Sequence, residues 1–292
     1  MQILSLFDDG YKAQGLEWRG EALQSPILYM GNKLRLIRRG LVNLFPSNIK
    51  NFVDVFSGSA VVSMNTKAES YYLNDIDKIV LQYYDLFKNH SAVEIIAHIK
   101  KQIVDYDLPT KATPRSVIDK NLLERQKIAY HRFRDNYNQS KNILDLYTLM
   151  FFAFSQQFRV NKDGDFNMPL GNGCFSLQNE QTIHKGISFF KQPNIRLSNK
   201  DFALFLDNIS LENSDFVYFD PPYSHSLATY NEHNKWNNDD DLRLLAYCAK
   251  LNQKGIKFGI SNILLNKYLK RFILSQSKAM LAKMILELKN YF

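Results

Sequence analysis

The sequence predicts an α/β fold in which a doubly wound sheet is interrupted by a mainly helical insertion. Short apolar runs typical of buried strands occur at residues 51–56, 70–73, 215–219 and 257–260. Small residues, an acid or an asparagine follow these runs, as is usual where parallel strands end. Between about residues 85 and 150 the strand signals fade and apolar residues recur with helical period.

Composition favours a globular protein with a polyanionic partner. The 292 residues are 45% apolar, and 37 Lys and Arg against 29 Asp and Glu give a formal charge of +8. Such an excess attracts phosphate groups. Cys174 and Cys248 are far apart and the six histidines are scattered, which predicts neither a disulfide framework nor a metal site. We therefore expect a reduced, metal-free, cytoplasmic protein, as a monomer or weak dimer.

The N-terminal segment and the longest apolar stretch carry no export or membrane signal. Asp8 and Asp9 lie near the short apolar start, which argues against a signal peptide. The stretch from Leu146 to Phe154 is about half the length that spans a bilayer and is predicted to be a core helix. Residues 1–25 are weakly patterned and are interpreted as an N-terminal extension.

A turn that leads into a basic helix is predicted next. Tyr29-Met30-Gly31-Asn32-Lys33 is followed by arginines interleaved with apolar residues. The first strand then ends in Asp54-Val55-Phe56-Ser57-Gly58-Ser59-Ala60, a loosened form of the glycine-rich turn that admits a cofactor. One glycine in place of three makes a dinucleotide a poor fit.

Asp75 is a candidate ligand for a nucleoside. It lies 21 residues after Asp54. In nucleotide-binding folds an acid after the second strand, at about this distance in sequence, accepts hydrogen bonds from the ribose hydroxyls. The alternative is that Asp75 only caps a turn. The pattern therefore predicts a nucleoside-containing cofactor and leaves the structural role open.

The tetrapeptide Asp220-Pro221-Pro222-Tyr223 is the most specific chemical signal. It follows the apolar run 216–219, where a buried strand gives way to a loop. A carboxylate and a proline carbonyl can accept both N–H bonds of an amino group on a flat base, and the tyrosine ring can stack on that base. The alternative is a proline-stiffened turn with a surface tyrosine.

The helical insertion carries excess positive charge. Between Lys100 and Arg134 there are nine Lys and Arg against four acids, which predicts a solvated helical face or a surface for a phosphate backbone. Residues 158–171 then have the Gly, Asn and Pro content of a tight hairpin.

In this order of motifs the sequence resembles the Dam-like family of adenine-specific DNA methyltransferases, in the arrangement that inserts the target-recognition domain between the cofactor half and the catalytic motif. The resemblance covers about residues 27–262. It rests on the motifs at 29–33, 54–60, 74–75, 159–169 and 220–223. It implies a Rossmann-like S-adenosylmethionine-dependent sheet, with the catalytic domain at 26–85 and 190–292 and the recognition domain at 86–189.

The resemblance also implies three sets of site residues. The cofactor set is Tyr29, Lys33, Asp54, Phe56, Gly58, Ser59, Asp75 and Asp220. The set that holds the target adenine is Asp220, Pro221, Pro222 and Tyr223. The DNA-reading set is Arg159, Asn161 and Pro169, with duplex DNA as partner and a GATC-like target.

The implied reaction is methylation of the adenine N6 amino group in a restriction-modification or phage context. The adenine amino group is a poor nucleophile, so hydrogen-bond acceptors in the site must bind its two N–H groups. The base must also leave the stack of the duplex to reach the site. Alternatives are a catalytically impaired DNA-binding remnant, and amino-methylation of cytosine or of RNA adenine. The reaction requires that Asp220 face the loop after the first strand and not be buried in a salt bridge.

Residues 263–292 depart from the family pattern. Their apolar residues have largely helical spacing, without the signal of a closing strand hairpin. We therefore expect the last strands of the sheet to be missing or altered, which leaves an apolar edge.

Overall fold

The computed structural model describes residues 4–5, 21–29, 31–113, 118–222, 236–261 and 285–286. Its strands are β1 (Leu4–Ser5), β2 (Asn51–Asp54), β3 (Ser70–Asn74), β4 (Ile195–Ser198), β5 (Phe216–Phe219), β6 (Lys257–Ile260) and β7 (Ile285–Leu286). Its helices are α1 (Leu34–Arg38), α2 (Val61–Met64), α3 (Lys78–Asn89), α4 (Ala92–Tyr106), α5 (Lys120–Ser140), α6 (Ile143–Phe152), α7 (Leu177–Phe190), α8 (Phe202–Asp207) and α9 (Asn238–Gln253). The predicted α/β class is confirmed.

Five parallel strands form the central sheet in the order β4-β3-β2-β5-β6. Every residue of β5 is buried, as expected for a parallel strand that is covered on both faces. The chain runs outward from β2 to β4 in one direction and then returns to β5 on the other side of β2. The crevice beyond the carboxyl ends of β2 and β5 is therefore the place where such sheets bind ligands.

Strand β4 was not singled out by the sequence. It is an edge strand of the central sheet, and Arg196 at its centre is exposed and lies over the ring of Tyr72, 4.9 Å from the ring centroid. Because a half-exposed strand of four residues has no continuous apolar run, it lacks the signal that marked β2 and β5.

The short strands β1 and β7 pair in parallel, Leu4 with Ile285 and Ser5 with Leu286. The predicted N-terminal extension at residues 1–25 stays a prediction, because only two of the first 20 residues are described. Residues 262–284 and 287–292, on which most of the expectation of missing or altered strands falls, lie outside the described residues.

The chain divides into two compact units. Unit 1 comprises Met1–Leu23, Asn32–Leu81 and Pro193–Phe292, and unit 2 comprises Gln24–Gly31 and Gln82–Gln192. Unit 1 contains the central sheet, and unit 2 contains α4 to α7. The functional domain boundaries inferred from the family resemblance stay a prediction.

Unit 2 is built around α6, whose residues from Asp145 to Phe152 are all buried. The predicted core helix is confirmed there, but it ends at Phe152 and Phe154 is 53% exposed. Capping boxes with a serine at the N-cap stabilise the first turns of α4, at Ser91, and of α7, at Ser176. Within the described ranges, the helices are too short or too polar to cross a bilayer.

Candidate functional site

Asn74 fastens together the carboxyl ends of three strands. Its buried side-chain amide donates to the carbonyls of Val55 (3.1 Å) and Lys200 (3.0 Å), and its Oδ1 accepts from the Lys200 N–H (3.1 Å). Val55 follows β2, and Lys200 follows β4. The side chain of Asn74 thus connects the ends of β2, β3 and β4 at the crevice. From the sequence, Asn74 was recognised only as part of a motif.

Asp75 ties the loop after β2 to the turn after β3. Its Oδ2 accepts from the Gly58 N–H (2.8 Å), and its Oδ1 accepts from the Asp77 N–H (2.9 Å). Burial raises the pKa of Asp75 to about 6, although these hydrogen bonds oppose the rise. The capping role left open by the sequence is therefore present, and the ribose contact stays a prediction.

Asp54 ends β2 with a carboxylate that is 2% exposed. Its Oδ2 accepts a 2.6 Å hydrogen bond from the Ser63 hydroxyl, whereas its buried Oδ1 has no hydrogen-bond partner among the described residues. Burial is the main cause that raises its pKa to about 7; Asp220 and Asp75 add to the rise, while Ser63 and Lys33 oppose it. Ser63, which the sequence analysis missed, lies nine residues after Asp54 on α2.

Asp220 follows β5 and forms an ion pair with Lys33, with 2.7 Å between Oδ2 and Nζ. A buried salt bridge was the arrangement that would count against its predicted role. The Lys33 side chain is only 5% exposed, but that of Asp220 is 19% exposed, so the carboxylate is not enclosed. The negative charge of Asp220 also contributes to the raised pKa of Asp54, after burial.

Three charged side chains near Asp54, those of Asp220, Asp75 and Lys33, influence its pKa. Asp54, Asp75 and Asp220 lie at the carboxyl ends of three neighbouring strands, as predicted. The buried Oδ1 of Asp54, which has no partner in the described part of the chain, suits a cationic hydrogen-bond donor, because an ammonium would compensate the cost of burying the charge. The residues present therefore fit the ammonium and sulfonium charges of S-adenosylmethionine.

The loop after β2 contributes a backbone turn and an aromatic wall. Gly58 has φ +48°, a left-handed conformation that glycine adopts without strain, and Ser59 is buried. The Phe56 ring lies 5.6 Å from Phe202 and 5.5 Å from Trp236. Neither Phe202 nor Trp236 was in the predicted site, because no spacing rule connects them to this loop.

The remaining predicted pocket residues are placed less fully. Pro221 is buried and Pro222 is half-buried directly after β5, whereas Tyr223 lies outside the described residues. Tyr29 belongs to unit 2, where its ring lies 5.8 Å from that of Phe158. Their predicted contacts with base and cofactor stay predictions.

Unit 2 contains the predicted hairpin. Val160 pairs antiparallel with Phe166, and the Asn161 N–H donates to the Asp165 carbonyl (2.8 Å). The Asn161 Oδ1 accepts from the N–H groups of Asp163 and Asp165, so this side chain holds the turn. The turn alone explains why an asparagine occupies position 161, and its predicted contact with DNA stays a prediction. Arg159 is half-exposed and Pro169 is exposed.

Gly171 allows the hairpin to approach the end of α6. Its N–H donates to the Phe152 carbonyl (2.7 Å), and a Cβ at this position would lie 2.6 Å from the Ala153 carbonyl oxygen. Gly171→Ala should therefore lower the free energy of unfolding by about 1–3 kcal/mol, because the backbone must shift. Thermal unfolding measures this effect, and Asn167→Ala, an exposed change on the same segment, serves as the control. An unchanged melting temperature for Gly171→Ala would contradict the expectation.

Phe154 is a candidate contact that the sequence analysis missed. It is a large exposed aromatic side chain, and the two residues after it, Ser155 and Gln156, both have left-handed backbones with φ +54° and +53°. Such strain in non-glycine residues is often found at functional positions. The apolar run before it made burial the expected outcome; the polar Ser-Gln-Gln sequence that follows was the available signal.

The fold and the strand-end acids define a class of protein, and comparison with known families agrees. The family model for D12 class N6 adenine-specific DNA methyltransferases matches residues 29–287, and the chain belongs to this family. The resemblance of the sequence to adenine-specific DNA methyltransferases is thereby confirmed.

Individual relatives extend the comparison. The chain is 34% identical to the type II methyltransferase M.FokI of Planomicrobium okeanokoites, over 86% of this chain and 37% of the relative. It is 32% identical to the modification methylase StsI of Streptococcus sanguinis, over 82% and 35%. Type II methyltransferase M.MjaIII of Methanocaldococcus jannaschii is 26% identical over 74% of each chain. The chain thus spans little more than a third of the length of the first two relatives.

Proposed function

We propose that the chain transfers a methyl group from S-adenosylmethionine to the N6 amino group of adenine in a specific duplex DNA sequence. The observation that carries the proposal is the set of acids at the carboxyl ends of β2, β3 and β5, with Asp220 directly before two prolines. Membership of the D12 class supports the same chemistry.

Asp220 and Pro221 would act on the amino group. A carboxylate oxygen and a peptide carbonyl accept its two N–H bonds, and the nitrogen lone pair then becomes available for methylation. Lys33 keeps the Asp220 side chain in one orientation through the 2.7 Å ion pair. Catalysis comes from positioning and electrostatics, without a covalent enzyme intermediate.

Asp54, Asp75 and the loop from Phe56 to Ser59 would hold the cofactor. When bound, S-adenosylmethionine supplies an electrophilic methyl group on a sulfonium. The Asp54 Oδ1, which lacks a partner within the described ranges, would accept from a cationic donor, and the N–H groups of Gly58 and Asp77 hold Asp75 in place.

Unit 2 would read the DNA through the hairpin. Arg159, which is half-exposed beside the turn, has the fork of donors that suits a guanine edge. Exposed Phe154 offers a flat apolar surface for a base step. The net charge of +8 supports association with the phosphate backbone.

Arg159→Ala should relax sequence preference at one position of the target and cost about 1–3 kcal/mol of binding free energy there. Binding is measured against duplexes that carry single base-pair substitutions. Lys162→Ala, an exposed change in the same turn, is the control and should weaken all duplexes alike. A uniform loss for Arg159→Ala would make it a phosphate contact.

The proposed function is tested by incubating the purified chain with methyl-labelled S-adenosylmethionine and, in parallel samples, duplex DNA or RNA of the same sequence. We expect label in N6-methyladenine, at one sequence, when the product is digested to nucleosides. Binding of cofactor and DNA without transfer would indicate a DNA-binding remnant, and label in cytosine or only in RNA would replace the proposed substrate.

A further inference from the structure

Helix α5 binds one edge of the hairpin through three side chains. The Tyr130 hydroxyl donates to the Met168 carbonyl (2.9 Å), the Asn138 amide to the Phe166 carbonyl (3.2 Å), and the Lys141 ammonium, directly after the helix, to the Gly164 carbonyl (3.0 Å). The three carbonyls belong to residues 164, 166 and 168. Gly164 belongs to the turn, whereas the carbonyls of Phe166 and Met168 alternate along the returning segment and therefore lie on one edge of it.

Asn138 forms the central and most specific of these contacts. Its Oδ1 also accepts from the Phe166 N–H (2.8 Å), so one side chain satisfies both the donor and the acceptor of a single hairpin residue. This is the pattern that a neighbouring strand would supply. Tyr130 offers the hairpin only a donor, and Lys141, which also pairs with the Asp165 carboxylate, offers only donors.

The register held in this way decides which hairpin residues face outward. Phe166, Met168 and Leu170 are buried, whereas Asn167 and Pro169 between them are exposed. A shift by one residue would exchange the two sets, because side chains alternate along an extended segment. The Asn161 side chain holds the turn from within, in addition to the contact of Lys141 with Gly164.

We propose that Asn138 is a positioning residue for sequence recognition: it fixes the register of the hairpin and thereby determines which base pair the hairpin prefers. The inference rests on the proposed function, since it takes duplex DNA as the ligand. Asn138 itself lies on α5 and acts through Phe166, Asn167 and Pro169. An asparagine suits this task because its amide carries a donor and an acceptor on one short, stiff side chain.

The test compares Asn138→Ala and Asn138→Asp with a matched control, Asn136→Ala. Asn136 lies on the same helix but donates to Asp145 on α6 (3.3 Å) and not to the hairpin. Asn138→Asp keeps the shape and the acceptor but loses the donor to the Phe166 carbonyl. Full-length chains are titrated with the preferred duplex and with single base-pair variants, at two salt concentrations.

For both Asn138 variants we expect the ratio of affinities between the preferred duplex and the hairpin-read variant to fall about tenfold. For Asn138→Ala, which leaves the charge unchanged, the salt dependence should stay as in the wild type, because no phosphate contact is lost. Asn136→Ala should keep the wild-type ratio even where its melting temperature falls. A ratio that is unchanged in Asn138→Asp, or lost equally in Asn136→Ala, would overturn the inference.

The same experiment separates this inference from the proposed function. A wild-type chain that binds all duplexes equally would remove the premise of sequence-specific DNA recognition. A wild-type chain that discriminates, together with Asn138 variants that discriminate as well, would leave the proposed function standing and remove only the role of Asn138.

Discussion

Asp220→Asn should lower the rate of methyl transfer by about two to three orders of magnitude, the usual consequence of removing one preorganised electrostatic partner. The asparagine side chain keeps the shape of Asp220 but lacks the negative charge that attracts the N–H group of the adenine amine. The substitution also removes the carboxylate charge that lies 2.7 Å from the Lys33 ammonium in the native protein. Single-turnover transfer of labelled methyl to the preferred duplex measures the effect.

The control for this prediction is Glu212→Gln. Glu212 is an exposed carboxylate that pairs with Lys50 before the amino ends of β2 and β5, at the opposite edge of the sheet. It should transfer methyl groups at the wild-type rate. Thermal unfolding of Asp220→Asn shows whether the lost ion pair destabilises the protein, and DNA binding at wild-type affinity would locate the defect in catalysis. Transfer at the native rate by Asp220→Asn would exclude this residue from the chemistry.

Asp54 should make cofactor binding depend on pH. Its pKa, raised to about 7 mainly by burial, means that much of the unliganded protein carries a proton there at neutral pH. A cationic ligand stabilises the carboxylate and lowers this pKa, so binding releases the proton. The affinity for S-adenosylmethionine should therefore rise about tenfold from pH 6 to pH 8 and level off above pH 8.

The raised pKa of Asp54 gives the stability of the unliganded protein the opposite pH dependence. The folded-state pKa lies above the ordinary value of 3.8, so the folded state binds the proton more tightly than the unfolded state does. This contribution to stability is fully present below about pH 4 and is lost as the pH rises through about 7. Asp75, with its pKa near 6, acts in the same direction.

Asp54→Asn tests the assignment, because it removes the charge in nearly the same volume. We expect cofactor affinity to fall by about 2–5 kcal/mol and its pH dependence between 6 and 8 to disappear. Calorimetry in buffers of different ionisation enthalpy should show proton release for the native chain only. Asp207→Asn, at an exposed acid bonded to Tyr247, is the control. A pH profile that persists in Asp54→Asn would assign the proton to another group.

The sequence was sufficient to predict where the acids lie. Asp54 and Asp220 each end an apolar run, and because the carboxyl ends of parallel strands meet at one edge, these residues had to approach one another. The hairpin was likewise visible in its local turn chemistry, as Asn161 and Gly164 show. These features depend on neighbours in sequence.

Contacts between distant parts of the chain were not predictable in this way. The bond from Asn74 to Lys200 spans 126 residues, and the pair of Lys33 with Asp220 joins segments further apart still. Strand β4 was missed because an exposed edge lacks a continuous apolar run. Phe154 was misjudged because apolar character alone does not reveal that a helix ends two residues earlier.

The hydrogen bonds of Asn74 have a thermodynamic consequence. Since one buried amide fastens the ends of β2, β3 and β4 during folding, the conformational entropy of these loops is lost before any ligand arrives. A ligand that enters such a preassembled rim has little backbone left to order. Asn74→Ala would shift that ordering cost from folding to association, and the penalty would then be seen as a less favourable entropy of cofactor binding.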